Sequence, residues 1–510
     1  MKNKRLFKIV VLVFSFCLII TFSACKKADN PTGTATVTPE GTATQGPSGG
    51  LGFGGITIRA IRAYGRGAEP LSDNAYEKQL MDERIREMEE NYNFKFEWVV
   101  SGVAAGTYSD HWTSILTGKP IADIARVDYW VITQSLEKGG HYAVLNDYDD
   151  ILELDSSELW DQMLIKELYT IEGMTFGAES YKYGVEQVYQ GAVMFFNKSM
   201  LEREGIWDEY NLYDMQREKT WTWDTLDTVA TRAVKDRTGD GITDQFGLIC
   251  KYSITHMGFN ASNSNGGTGW GWYEVDREGK PVFRGREPER LRVLNYFHDM
   301  GQTGKGWLHA PDFGTDSEWG PDKFFAEGNS AFIIDNGHNI ELFSALKMQD
   351  TLGVVAVPMG PDNTKGYNIA RVYYKPWVMA KNASNFEACA YVIKEISRPL
   401  YTKEEADISV EVALADFIGN ETEILETYKM LSDPERVAYN KETPFIATWA
   451  GVIASYHGSF ASAIIEAGFP PEQLNELYGD AIQTFINDYW ALVLESAQKI
   501  KKKRQENGLQ

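Results

Sequence analysis

The sequence predicts an α/β fold of two lobes, each a mostly parallel sheet flanked by helices. From residue 56 onward, short strand-like runs alternate with helix-like ones, the pattern of parallel sheets covered on both faces. About 455 residues follow that point, enough for two sizeable cores. The stretch 190–247 then sets strand, helices, an Asp/Gly-rich loop and a second strand in one unit. In open sheets of this kind ligands sit beyond the carboxyl ends of the strands, so the segments after each strand are the candidate binding surface.

Taken in order, the chain opens with Lys2, Lys4, Arg5 and Lys8 before the apolar run 9–20, which is too short to span a bilayer and reads as a signal-peptide core over residues 1–24. The run ends in Phe22-Ser23-Ala24-Cys25, which resembles a bacterial lipobox; that resemblance implies a diacylglyceryl group on Cys25. An ordinary secretory signal with an incidental cysteine is the alternative. Two acyl chains at ~0.8 kcal/mol per buried methylene would anchor the protein stably. Residues 25–54 are Thr, Gly, Pro and Ser with almost no apolar content, a flexible linker.

The formal charge is −22 and becomes −26 without residues 1–24, which carry four of the positive charges. Such a chain repels phosphate backbones, which argues against nucleic acid as a partner. Of the 4 cysteines, Cys250 and Cys389 read as small buried hydrophobes, with no disulfide framework or zinc spacing.

Alternation predicts strands at 56–60 and 94–100, and an apolar face of Tyr76, Leu80, Met81, Ile85, Met88 and Tyr92 predicts a helix over 73–92. A strand at 121–125 leads into Asp128, Tyr129 and Trp130. A carboxylate there takes hydroxyl hydrogen bonds and an indole offers a flat face to a sugar ring, although Trp130 alone could equally pack under the next helix. Residues 192–196 form a buried strand, 199–205 a short helix stopped by Gly205, and Thr222 an N-cap before Leu226, Val229, Ala230, Ala233 and Val234 on one helical face. Residues 246–250 make another buried strand.

Gly191 to Gly205 (with Asn197-Lys198), Thr222-Trp223-Asp224, the Asp/Gly loop and Phe246-Gly247 together resemble the signature of the family 1 extracellular solute-binding proteins of ABC importers. Phe196 stands where that family has tyrosine. The resemblance extends through 324–339 and 352–361 to a helix at 386–396, and thins beyond it. It implies the two-lobed periplasmic-binding-protein-like fold (type II) with hinge crossovers near Gln190, Val357 and Arg398. Lobe one would take residues 55–190 and 358–398, and lobe two 191–357 and 399–510. It places Gln190 in the cleft. Where the family usually presents a tryptophan at the end of the 324–339 segment, this chain has Asn336, Gly337 and His338.

The residues expected to bind ligand are Tyr64, Arg66, Asp128, Tyr129, Trp130, Gln190, Asn263, Trp270, Trp272, Asn336, His338, Tyr374 and Trp377. Gly269 and Gly271 leave the Trp270 and Trp272 indoles unshielded, a stacking platform rather than core. In the loop 236–247, Asp236, Thr238, Asp240 and Asp244 occupy positions 1, 3, 5 and 9 of a calcium loop with Gly241 at position 6, but Gly247 stands where a bidentate Glu is needed. A structural calcium ion or a plain Asx-rich turn both fit. Residues 399–510 read as helical, with the basic run 499–504 as a solvated helix end.

The function implied is an extracellular, lipid-anchored, monomeric binding component that delivers a carbohydrate, an oligosaccharide by preference, to an ABC permease in the membrane. A lipid-anchored secreted glycoside hydrolase and a binder of non-sugar solutes are the alternatives. The hydrolase would need two carboxyls flanking the scissile bond, whereas no nucleophile motif appears and only 7 His are present.

Overall fold

The structure is a computed structural model that describes residues 44–45, 51–62, 75–99, 107–128, 130–181, 183–265, 269–270, 273–276, 279–302, 307–309, 320–371, 374–440 and 470–509. Cys25, Tyr64, Arg66, Tyr129, Trp272 and the segment 1–43 lie outside the described residues. Among those described, no helix is long and apolar enough to cross a membrane.

The first sheet is built from β1 (Thr57–Arg62), β2 (Lys95–Val99), β3 (Ile124–Arg126) and β13 (Trp377–Met379) in the order β13-β3-β1-β2. β1 runs parallel to β2 and β3, and β13 closes the edge antiparallel to β3, Trp377 opposite Arg126. The helices between these strands are α1 (Ala75–Tyr92), α2 (Thr107–Leu116) and α3 (Val131–Glu137). Met81 and Met88 of α1 are buried as the periodicity predicts. β3 starts three residues later than predicted, directly after Asp123. Its carboxylate accepts the N–H of Arg59 and of Ser384, each at 2.9 Å.

The second sheet takes β4 (Ala192–Asn197), β5 (Phe246–Cys250), β9 (Trp307–His309), β10 (Ser330–Asn336) and β11 (Leu352–Val355) in the order β9-β5-β10-β4-β11. β9, β5 and β10 are parallel, and β4 inserts antiparallel between β10 and β11. The strand that follows the first crossover therefore enters the middle of the sheet. β4 is apolar throughout because both its faces are covered. Phe195 packs on Phe343 (4.9 Å between centroids) of α11 (Asn339–Ala345), and Phe196 on Trp207 (5.6 Å) and Tyr213 (5.5 Å). Asn197 caps α5 (Lys198–Arg203) by accepting from Met200 N–H, and Gly205 ends that turn at φ +64°. Thr222 does precede α7 (Trp223–Arg232), but its hydroxyl meets Thr225 Oγ1 at 3.1 Å rather than capping a backbone N–H. Cys250 and Cys389 are buried free thiols.

A third, small parallel sheet has the order β6-β14-β12: β6 (Gly269–Trp270), β14 (Val437–Asn440) and β12 (Ile369–Arg371). Its strand β14 corrects the all-helical expectation for residues 399–510. Among the described residues there, the α-helices are α13 (Ala406–Leu414), α14 (Glu423–Leu431) and α15 (Pro471–Glu506). The basic end of α15 is not simply solvated either, since Lys501 donates to Glu172 O (2.9 Å) and Arg504 pairs with Asp147.

Candidate functional site

Two rims and a hub between them carry the polar and aromatic residues left at the strand ends. On the first rim, Asp128 follows β3 and is 6% exposed. Tyr108 of α2 donates to its Oδ2 at 2.7 Å and accepts the Asp128 N–H at 3.0 Å. Burial raises the Asp128 pKa, with the Tyr108 hydroxyl and the Lys375 charge acting against it. Trp130 is half-buried with its ring edge-on to Tyr108, 5.3 Å between centroids. Trp98 of β2 is half-buried and lies 6.2 Å from Trp377, tilted by 31°. Asp128, Trp130 and Trp377 are thus brought to one end of the first sheet, together with Trp98 and Tyr108, which the sequence reading missed.

On the second rim, Gln190 follows the short helix α4 (Val185–Tyr189). That helix is pinned from outside: Val185 N–H donates to Ser409 Oγ (3.0 Å), and Gln187 Nε2 donates to Leu431 O (2.9 Å) and Asp433 O (3.1 Å). Asn336 ends β10 in register with Ala192, and Gly337 N–H donates to Gly191 O at 3.0 Å. His338, exposed, keeps Nδ1 3.0 Å from Tyr189 O. Gln190, Asn336 and His338 therefore gather at one corner. The amide oxygens Gln190 Oε1 and Asn336 Oδ1 are buried there without a hydrogen-bond partner. Two orphaned acceptors at a strand end suit a ligand that brings hydroxyl donors.

Behind this corner, Lys251 at the end of β5 meets Asp335 at 2.6 Å and Asp322 at 3.0 Å. Asp335 also accepts the Asn336 N–H at 2.8 Å, so the charge cluster holds the site residue in place. Burial and the neighbouring Asp335 push the Asp322 carboxyl up to about 7.

The hub is Arg371, 3% exposed, whose Nη1 lies 2.9 Å from Asp161 and Nη2 2.9 Å from Glu179. Tyr169 donates to Glu179 (2.9 Å), Tyr439 donates to Asp161 (3.2 Å), and the Tyr374 ring lies 5.1 Å from the guanidinium. Burial works against the Arg371 charge, yet Glu179 and Asp161 hold its pKa above the ordinary value. Gly191, at the first crossover, bridges to Arg371. Tyr181 and Tyr183, half-buried and stacked at 6.0 Å, stand beside this hub, where Asp161 helps raise the Tyr181 pKa after burial. Their Tyr-x-Tyr spacing was the available signal.

The remaining candidates separate. Tyr374 is fully buried in the hub. Asn263 is spent on the segment 360–363, its Nδ2 donating to Asp362 (2.8 Å) and its Oδ1 accepting the Asp362 N–H (3.0 Å). The Trp270 backbone pairs with Asn440 in the third sheet, beside the hub residue Tyr439. In the loop 236–247, Asp236 accepts from Gly239 and Gly241 N–H (2.6 Å each), Asp244 accepts from Arg237 (2.8 Å) and Thr238 N–H (3.1 Å), and Asp240 accepts from Ile242 N–H (2.8 Å). Among the described residues no three His, Cys, Asp or Glu side chains gather as a metal site.

No protein-family model matches this chain, and no curated protein matches it in sequence. Its fold does match solved structures. The galacto-N-biose/lacto-N-biose I-binding protein of the ABC transporter from Bifidobacterium longum, in complex with lacto-N-biose, is 14% identical, with a TM-score of 0.53 over 89% of this chain and 98% of that one. An ABC substrate-binding protein from Listeria monocytogenes in complex with cycloalternan is 15% identical, with a TM-score of 0.51 over 89% and 100%. The GacH receptor of Streptomyces glaucescens, solved unliganded and with acarbose, is 14% identical, with a TM-score of 0.50 over 88% and 99%. The chain has the two-lobed α/β fold of these binding proteins.

Proposed function

We propose that the chain is a family 1 solute-binding protein: the extracellular, lipid-anchored component of an ABC importer, which takes a carbohydrate between its lobes and hands it to the membrane permease. The observation that carries the reading is the placement of chemistry at the strand ends. A half-exposed indole backed by buried Trp377 and a carboxylate on one rim (Trp98, Asp128) go with two orphaned amide oxygens on the other (Gln190, Asn336). Aromatic faces and hydroxyl-seeking acceptors are what a sugar ring requires. The matched structures, described as binding proteins with saccharides or acarbose, support the same class.

Binding works by population shift. A ligand touching both rims stabilises the closed arrangement by its differential affinity, and no covalent step is needed. Lipid attachment at Cys25 supplies the anchor, and calcium in the loop 236–247 is a separate proposal. The Asp236 carboxylate already bound by Gly239 and Gly241 N–H would still have to offer a lone pair to the ion.

The test is a thermal-shift scan of residues 26–510 against a panel of sugars and short oligosaccharides, each with calcium and with chelator. A micromolar ligand at hundredfold excess should stabilise the fold by about 2.7 kcal/mol. Stabilisation without product formation supports the reading. A panel without any shift, or a sugar consumed, would replace it with a non-sugar solute or a hydrolase.

A further inference from the structure

The helix α15 runs 36 residues without an internal proline, about 54 Å at 1.5 Å per residue. Its two halves belong to different lobes. The first half is fixed to the segment between β5 and β9 by directional bonds. Asn475 Nδ2 donates to Gly285 O (2.8 Å) and Arg286 pairs with Asp480 (2.8 Å). Gln483 donates to Pro281 O and accepts the Phe283 N–H (2.8 Å each), and Trp490 Nε1 donates to Gly279 O (3.1 Å). The helix that follows this segment, α9 (Pro288–Gln302), joins the second lobe's core, where Tyr296 stacks on Trp223 at 4.6 Å.

The second half lies along α3 of the first lobe. Val493 and Ala497 are fully buried, and Ile500 sits over Gly140, where an added Cβ would fall 2.8 Å from its Cδ1. This face is mainly apolar, with a Tyr489–Thr133 side-chain contact at its near end and, at its far end, Lys501 to Glu172 O and Arg504 to Asp147. The chain passes between the lobes near residue 190 and through 357–368, non-helical segments that can absorb a hinge rotation in a few dihedral angles. A continuous hydrogen-bonded helix cannot. If the lobes rotate, one docking face of α15 has to give, and an apolar face of small residues slides at lower cost than a set of oriented hydrogen bonds.

We propose that α15 is a strap between the lobes: anchored on the second lobe through Asn475, Gln483 and Trp490, sliding on α3 of the first, and setting the interlobe angle of the ligand-free protein. The proposal rests on the reading that the lobes hinge, not on the ligand being a saccharide.

The experiment is a spin-label distance measurement on residues 26–510 without ligand, with labels on Glu97→Cys in the first lobe and Glu202→Cys in the second. Both sites are exposed, whereas Cys250 and Cys389 are buried and take no label. Ala497→Glu puts a charge into the sliding face. The strap predicts a single narrow distance in the parent and a distribution about twofold broader in the variant. Hydrogen exchange should rise in α3 and the second half of α15 only. An unchanged distance distribution, with exchange showing that half released from α3, overturns the proposal. Should Ala497→Glu fail to fold, the pair Lys501→Gln/Arg504→Gln loosens the same end; broadening in the same direction supports the strap, and no change overturns it. Saccharide binding is read separately by the thermal-shift scan, so either reading can fail alone.

Discussion

Arg371 is a buried guanidinium, 3% exposed, set between the two rims. Two buried carboxylates, Asp161 and Glu179, share its guanidinium, and removing it would leave both charges unpaired. Arg371→Met should therefore destabilise the protein by about 3–5 kcal/mol in chemical denaturation. Asp322 behaves differently because burial and the neighbouring Asp335 outweigh the Lys251 charge. Its carboxyl sits at about 7 in the folded chain, well above the usual value, so its contribution to stability is complete below about pH 4 and is lost as pH rises through 7. Asp322→Asn abolishes that titration while Asp335 remains to pair with Lys251. Denaturation at pH 5 and pH 8 should show the variant gaining on the parent by on the order of 2 kcal/mol across that interval. A difference independent of pH would mean the Asp322 carboxyl is not raised. At the first rim, Asp128→Ala removes the acceptor of Tyr108 as well as a ligand group, and Trp98→Ala removes a half-buried indole packed on Phe96 and Trp377. Both should weaken saccharide affinity by tenfold or more, about 1.4 kcal/mol, and both should lower Tm.

Among the elements, the corner made by α4 and the end of β10 leaves no room for a side chain at Gly337. A Cβ on Gly337 would come 2.4 Å from Val188 O, a backbone atom with no freedom to retreat. Gly337→Ala should cost about 1–3 kcal/mol and displace α4, so that affinity falls along with Tm, since Gln190 follows that helix directly. The strands of this lobe were legible because β4 and β5 are continuous apolar runs bounded by Asn197 and the Asp/Gly loop, too short for helices and flanked by turn residues. The corner itself was legible only through the family resemblance, which placed Gln190 in the cleft. Arg371 and its carboxylates were not legible at all: Asp161, Glu179 and Arg371 are scattered over more than two hundred residues, and nothing local marks an ion pair made by tertiary contact. Asn263 was misread for a related reason. An Asn/Gly-rich stretch looks like a solvent-facing loop, but here α8 (Tyr252–Ser262) carries Asn263 at its end into contact with Asp362. Likewise β14 was hidden in a region of helical composition because its partners, β6 and β12, lie far away in sequence.

For the whole molecule, the sheet orders state how the lobes are joined: each sheet receives, antiparallel, a strand that has just arrived from the other lobe, β4 in one and β13 in the other. Those arrivals bring Gln190 and Trp377 to the facing strand ends, and Arg371 lies between them beside Gly191. A saccharide held by both rims should draw the lobes together. Small-angle scattering of residues 26–510, alone and saturated with a saccharide that raises its Tm, tests this most directly. The bound state should have a smaller radius of gyration, and Trp98→Ala should need about tenfold more saccharide for both effects. A saccharide that binds at saturation and leaves the radius of gyration unchanged would contradict it.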